Sequence, residues 1–111
     1  MEGARIVAAE LGSAFGGVIT DSAYLLVTIF FQPARLVLVQ NFTDQALMFS
    51  SDALTPNFVL PVNGFLVLDL GTNKGTVNTA AMPSGLGVYA KAFPGLLPTT
   101  GFVYASYWYT E

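Results

Sequence analysis

The chain has 111 residues, 53% of them apolar and only 10% charged, with no cysteine, no histidine and a formal net charge of −3. These counts exclude zinc fingers, iron–sulfur clusters, disulfide frameworks and thiol- or histidine-based catalysis, because the residues that do that chemistry are missing. Arg5, Arg35, Lys74 and Lys91 are the only basic residues, and they are scattered. Nucleic acid is therefore not expected as a direct partner, since a phosphate backbone needs a clustered positive footprint.

Along the chain, β-branched and aromatic residues alternate with short breaks of Gly, Pro, Asn, Asp and Ser, a pattern of many short strands. Arg5–Glu10 reads as helix or strand, because Ala and Glu favour one and Ile6 and Val7 the other. Gly12, Gly16 and Gly17 argue against a long helix there. Tyr24–Gln32 reads as a strand ended by Pro33, which lacks the N–H that a ladder needs. Arg35–Asn41 resumes as a second strand, with Leu36, Leu38 and Gln40 on one face and Val37, Val39 and Asn41 on the other. Both faces are largely apolar, as in a strand covered on both sides.

Ala46–Ser50 and Asn57–Leu60 are shorter strands, with turn residues Ser51, Asp52, Thr55 and Pro56 between them. Pro61-Val62-Asn63-Gly64 is a tight-turn sequence that is expected to join Asn57–Leu60 to Phe65–Leu70 as a hairpin. A weak strand is expected near Thr76–Ala80, followed by a loop. Val88–Phe93 and Phe102–Tyr109 complete the set. In the last, Phe102, Tyr104, Ser106 and Trp108 point one way and Val103, Ala105, Tyr107 and Tyr109 the other. About eight strands in one domain predict an all-β, antiparallel β-sandwich, jelly-roll-like, with the tyrosine-rich strand well inside a sheet.

Residues 1–111 form a single expected domain, with residues 1–20 read as an interacting N-terminal arm. Folding would bury about two-thirds of the surface of a chain this size. So little charge means that neutral and apolar side chains must sit outside, which favours a domain that works against another protein. The apolar stretch Ala23–Phe31 falls short of the roughly 20 residues that cross a bilayer as a helix, so no membrane partner is expected. The start Met-Glu-Gly-Ala-Arg does not read as a signal peptide.

With histidine absent, an enzyme would have to run on carboxylates. Asp44 and Asp52 flank one predicted strand and Asp69 ends another. A glycosidase needs two such acids roughly 5 to 10 Å apart, but the simpler reading is turn acids that accept backbone N–H bonds. Asn41, Thr43, Asp44 and Asp52 are the oxygen set from which a calcium site would be assembled, yet no D-x-D-x-D-G run is present. Asn41-Phe42-Thr43 matches the glycosylation sequon, a pattern too short to decide anything alone. Gly12, Gly16 and Gly17 lack the lysine of a phosphate loop. No cofactor and no metal are expected. Tyr104, Tyr107, Trp108 and Tyr109 read either as a sugar-stacking platform or as core and interface residues.

One larger pattern stands out. Asn41-Phe42-Thr43-Asp44, Phe49-Ser50-Ser51-Asp52, Phe58-Val59-Leu60-Pro61, Leu68-Asp69-Leu70 with Asn73-Lys74, and Pro98-Thr99-Thr100-Gly101 before Val103-Tyr104 follow one another between Leu36 and Tyr109. This stretch resembles the small capsid decoration, or staple, proteins of short-tailed, epsilon15-like bacteriophages. The resemblance implies a jelly-roll on the outer capsid surface of the virion that is not an enzyme. Such a protein binds the assembled major capsid protein and clamps neighbouring subunits against internal DNA pressure. Shell symmetry would suit a homodimer at capsid two-fold positions. The rival expectation is a carbohydrate-binding module of a phage tail or surface assembly, with Trp108 and nearby tyrosines as its platform. By side-chain type, Phe15, Arg35, Tyr107, Trp108 and Tyr109 are the expected interface residues.

Overall fold

Two ten-residue strands organise the molecule, β4 (Ala34–Thr43) and β9 (Gly101–Thr110), which pair antiparallel from Thr43 opposite Gly101 to Ala34 opposite Tyr109. The computed structural model describes residues 6–69 and 85–110. The other described strands are β1 (Ile6–Ala8), β2 (Gly12–Phe15), β3 (Leu25–Ile29), β5 (Leu47–Ser50), β6 (Phe58–Leu60), β7 (Phe65–Asp69) and β8 (Gly87–Ala92). All pairings among the described strands are antiparallel, and these strands divide between two sheets.

The first sheet runs β1-β9-β4-β7, with β2 also on β9, and the second runs β3-β8-β5-β6. β1 and β2 lie along the same edge of β9. Three residues, Ala9 to Leu11, face two, Ser106 and Tyr107, so the pair is one edge strand interrupted by a bulge. Ile6–Ala8, within the segment whose propensities were divided, is thus strand, decided by pairing with β9 rather than by local preference. As expected, the tyrosine-rich strand lies inside its sheet, flanked on both sides.

Alternation along β9 and β4 builds half of the core. Val103, Ala105 and Tyr107 point inward beside Val37, Val39 and Asn41, while Val27, Leu47, Phe49, Leu60, Val88, Ala90 and Ala92 come from the second sheet. The result is a β-sandwich whose inner faces share one apolar layer. The ladder shifts register between Ala34 and Leu36, so Arg35 is an extra residue and Ala34 turns into the core. At the bulged edge the two sheets come close: a Cβ on Gly12 would lie 2.5 Å from the Val27 carbonyl oxygen, so only glycine fits there.

One expected connection is corrected. The Pro61–Gly64 turn forms, with Gly64 N–H donating to the Pro61 carbonyl at 2.8 Å and Asn63 at φ 63°. It does not make a hairpin, because β6 pairs with β5 in the second sheet while β7 pairs with β4 in the first. The side-chain amide of Asn41, on β4, donates to the carbonyls of Leu60 and Pro61 at 3.1 and 3.2 Å. The turn is thereby anchored over the end of the sandwich, where it carries the chain from one sheet to the other. The weak strand expected near Thr76–Ala80 lies outside the described residues.

Candidate interaction face

The outward side chains of the first sheet form a face of unusual composition. Cross-strand register places Phe15, Phe102 and Phe42 in one row across β2, β9 and β4, and Ser13, Tyr104, Gln40 and Phe65 in the next. Ser106, Leu38 and Val67 make a third row, and Ala8, Trp108, Leu36 and Asp69 a fourth. Phe15, Phe42, Phe65, Val67 and Phe102 are all exposed. Among the described residues Asp69, at one corner, is the only ionisable carboxylate or cation in these rows.

The rings support one another. Phe15 and Phe102 have centroids 5.4 Å apart, Phe102 and Tyr104 stack at 5.9 Å, and Tyr104 meets Phe42 edge-on at 6.0 Å. Cross-strand aromatic contacts of this kind hold side chains in place before any partner arrives. A flat, ordered apolar surface loses little side-chain freedom on docking.

The five expected interface residues fall in different environments. Phe15 lies on this face. Trp108 lies at its far end, half-buried between Ala8 and Leu36. Arg35 is the half-buried bulge residue of β4. Tyr109 is half-buried, opposite Ala34, and packs against the core with its ring 6.2 Å from that of Tyr107. Tyr107 is in the core, edge-on to Phe30 at 4.9 Å, and its side chain offers no surface in this fold. Parity explains the placement: Tyr107 shares its side of β9 with Val103 and Ala105, which the second sheet covers. Phe42, Phe65, Val67 and Phe102 were not singled out as an interface, whereas Tyr104 reads in the sequence as a sugar-stacking platform or as a core and interface residue. Their signal was the shared outward parity of β4, β7 and β9, which needed the pairing register to become a surface.

The carboxylates are engaged in turns. Asp44 accepts the Thr99 backbone N–H and hydroxyl, both at 2.8 Å, and the Thr100 N–H at 3.3 Å. Asp52 accepts the N–H groups of Leu54 and Thr55 at 2.9 and 3.1 Å and the Ser50 hydroxyl at 2.9 Å. These bonds favour the ionised form and hold both acids below the usual carboxylate range. The oxygen set considered for calcium is likewise committed, since Asn41 Oδ1 accepts from Thr43 N–H and Oγ1 at 3.0 and 2.7 Å. Among the described residues no three acids cluster as a metal site.

Two further features lie elsewhere. The described residues outline an apolar groove of about 450 Å³ between β6 and β7, lined by Phe58, Leu66 and Leu68 with Ser51 and Asn57. Near β3 and β8, the Lys91 ammonium sits 4.9 Å from the Tyr24 ring centroid. Burial, with Asp52 nearby, pushes the Tyr24 phenol up. Its hydroxyl has no hydrogen-bond partner among the described residues.

Comparison with protein-family models, with curated proteins and with solved structures finds no match to the chain.

Proposed function

We propose that the protein is a structural virion component, without enzymatic activity or cofactor. It binds the outside of an assembled phage capsid and staples neighbouring major capsid subunits, as a homodimer at two-fold positions. The observation that carries the reading is the exposed aromatic face of the first sheet on a charge-poor sandwich. Contiguous apolar patches of this kind mark protein–protein contacts, and aromatic side chains dominate the cores of such contacts. The turn acids point the same way. A catalytic acid needs its pKa raised towards neutrality, whereas Asp44 and Asp52 are lowered.

Strand order supports a jelly-roll reading of the sandwich. With β1 and β2 taken together as one edge strand, the eight described strands lie in the two sheets in the orders 1-8-3-6 and 2-7-4-5, strands 4 and 5 being neighbours in the second sheet. Two interlocked Greek keys would give this order, which supports the reading.

Stapling acts by mass action, because only the assembled shell binds the protein. The test is co-sedimentation of the purified protein with heads stripped of their decoration, together with the temperature at which the shell fails. Saturable binding with a raised failure temperature is the expected result. Absence of binding would sink the proposal and direct the work to a glycan screen with Trp108→Ala as its control.

A further inference from the structure

We infer that the aromatic face of the first sheet is a self-association surface whose occupant is the same face of a second copy, packed sheet to sheet. The inference rests on the staple reading, and it assigns the surface through which the homodimer is made.

Area is the first argument. Phe15, Phe42, Phe65 and Phe102 are 44, 45, 66 and 42% exposed. At about 200 Å² for a whole aromatic side chain, they leave roughly 400 Å² uncovered on each copy. Two copies face to face would bury roughly 800 Å² from these rings alone, and Val67 and the half-buried Leu38 and Tyr104 lie between them. The pair thus reaches the roughly 1,000 Å² that separates specific interfaces from incidental contacts.

Charge placement is the second. A chain with a net charge of −3 repels its own copy wherever acids meet. Here Glu10 sits in the edge bulge, and Asp21, Asp44 and Asp52 lie in loops outside the strands. Among the described residues only Asp69 belongs to the face, in the row furthest from Phe15, Phe102 and Phe42. Two like-charged molecules can therefore approach through this side with the described acids peripheral and screened beyond about 8 Å at physiological salt. A strongly basic partner would find no acidic rim. A glycan would find only Ser13, Gln40, Ser106 and the Tyr104 hydroxyl to bond.

Geometry is the third. An isologous dimer needs a patch that complements itself, which a flat apolar sheet face does, because sheets pack face to face with strands about 30° apart. Pairing in this way leaves Val18, Leu96 and Leu97 on one set of loops and Leu54 on another, all exposed, to meet the shell.

The test is analytical ultracentrifugation of the full chain from 1 to 100 µM, with head binding measured on the same samples. Wild type is expected as a dimer, with Phe42→Gln and Phe65→Gln each weakening it tenfold or more and Leu54→Gln leaving it unchanged. Circular dichroism verifies folding. Should Phe42→Gln fail to fold, Phe65→Gln carries the test, because among the described strands Phe65 is on an edge strand, and it is the most exposed of the four rings. A wild type that is monomeric at 100 µM would overturn the inference, as would a dimer indifferent to both substitutions. A monomer that still saturates heads overturns the self-association and keeps the staple. A face-dependent dimer that ignores heads upholds the self-association and removes the staple.

Discussion

The phenol oxygen of Tyr107, on the central strand of the first sheet, accepts the backbone N–H of Phe31 at 3.0 Å and so ties in the loop that leaves the second sheet. The same hydroxyl donates to Gln32 Oε1 at 3.1 Å. Tyr107→Phe would remove both bonds and strand a part-buried N–H, at a cost of about 1 to 2 kcal/mol. Tyr24→Phe is the counter-case: its buried hydroxyl has no partner among the described residues, and losing it should leave stability unchanged or raise it by up to about 1 kcal/mol. Urea melts of the two variants should therefore shift in opposite directions or, at the least, differ clearly in midpoint.

Asn41 is fully buried, and all its polar atoms are used. Beyond Leu60 and Pro61, its amide donates to the Gln45 carbonyl at 3.0 Å, and Oδ1 takes both donors of Thr43. Asn41→Leu keeps the volume and strips the bonds, leaving several polar groups unpaired at one end of the sandwich. A loss of about 3 kcal/mol or more is expected in chemical denaturation. Asn41→Asp should be nearly as damaging at neutral pH, since it would set a charge against three carbonyls.

Two backbone positions make a reciprocal pair. Gly101 has φ +86°, and a Cβ there would lie 1.9 Å from the Phe42 carbonyl oxygen, at the start of the β4–β9 ladder. Gly101→Ala should cost at least about 2 kcal/mol, from left-handed strain together with the clash. Ala53, in the loop after β5, already sits at φ 67° and bears that strain. Ala53→Gly should gain about 0.5 to 1 kcal/mol, read as a raised thermal midpoint.

Acid should weaken the fold through Asp44 and Asp52. Both have folded pKa values below the ordinary carboxylate value, so their contribution is fully present above the unfolded pKa, near 4. It is lost as pH falls from there through the depressed folded values. Thermal melts from pH 6 down to 2 should stay level at first and then drop below about pH 4. In the double variant Asp44→Asn with Asp52→Asn the drop should be shallower, and the midpoint at pH 6 lower.

Strand existence was legible because the period-two pattern of Val103 to Tyr109, and of Leu36 to Asn41, is unbroken. Strand partnership was less so. A turn such as Pro61–Gly64 reverses the chain locally, but what chose its destination was an amide twenty residues away. Nor did alternation say which side was inward, since both faces of β4 carry apolar residues and only the second sheet decides between them. This is why side-chain type led to Tyr107, which the core claims, and passed over Phe42 and Phe65. The turn role of Asp52 was legible, because its bonds are made within three residues, whereas the Thr99 and Thr100 partners of Asp44 come from a loop distant in the chain.

The placement of β9 also governs how the chain can be made. β1 and β2 take their partner, and β4 its second partner after β7, from Gly101–Thr110, so on the ribosome the first sheet stays incomplete until these residues emerge. The nascent chain must carry Phe15, Phe42 and one open edge of β4 unpaired until Gly101–Thr110 emerge. Slow completion and a hold on such exposed edges by chaperones follow from a topology in which distant segments must meet last. A ribosome stalled just before Gly101 would display the most adhesive form of this molecule.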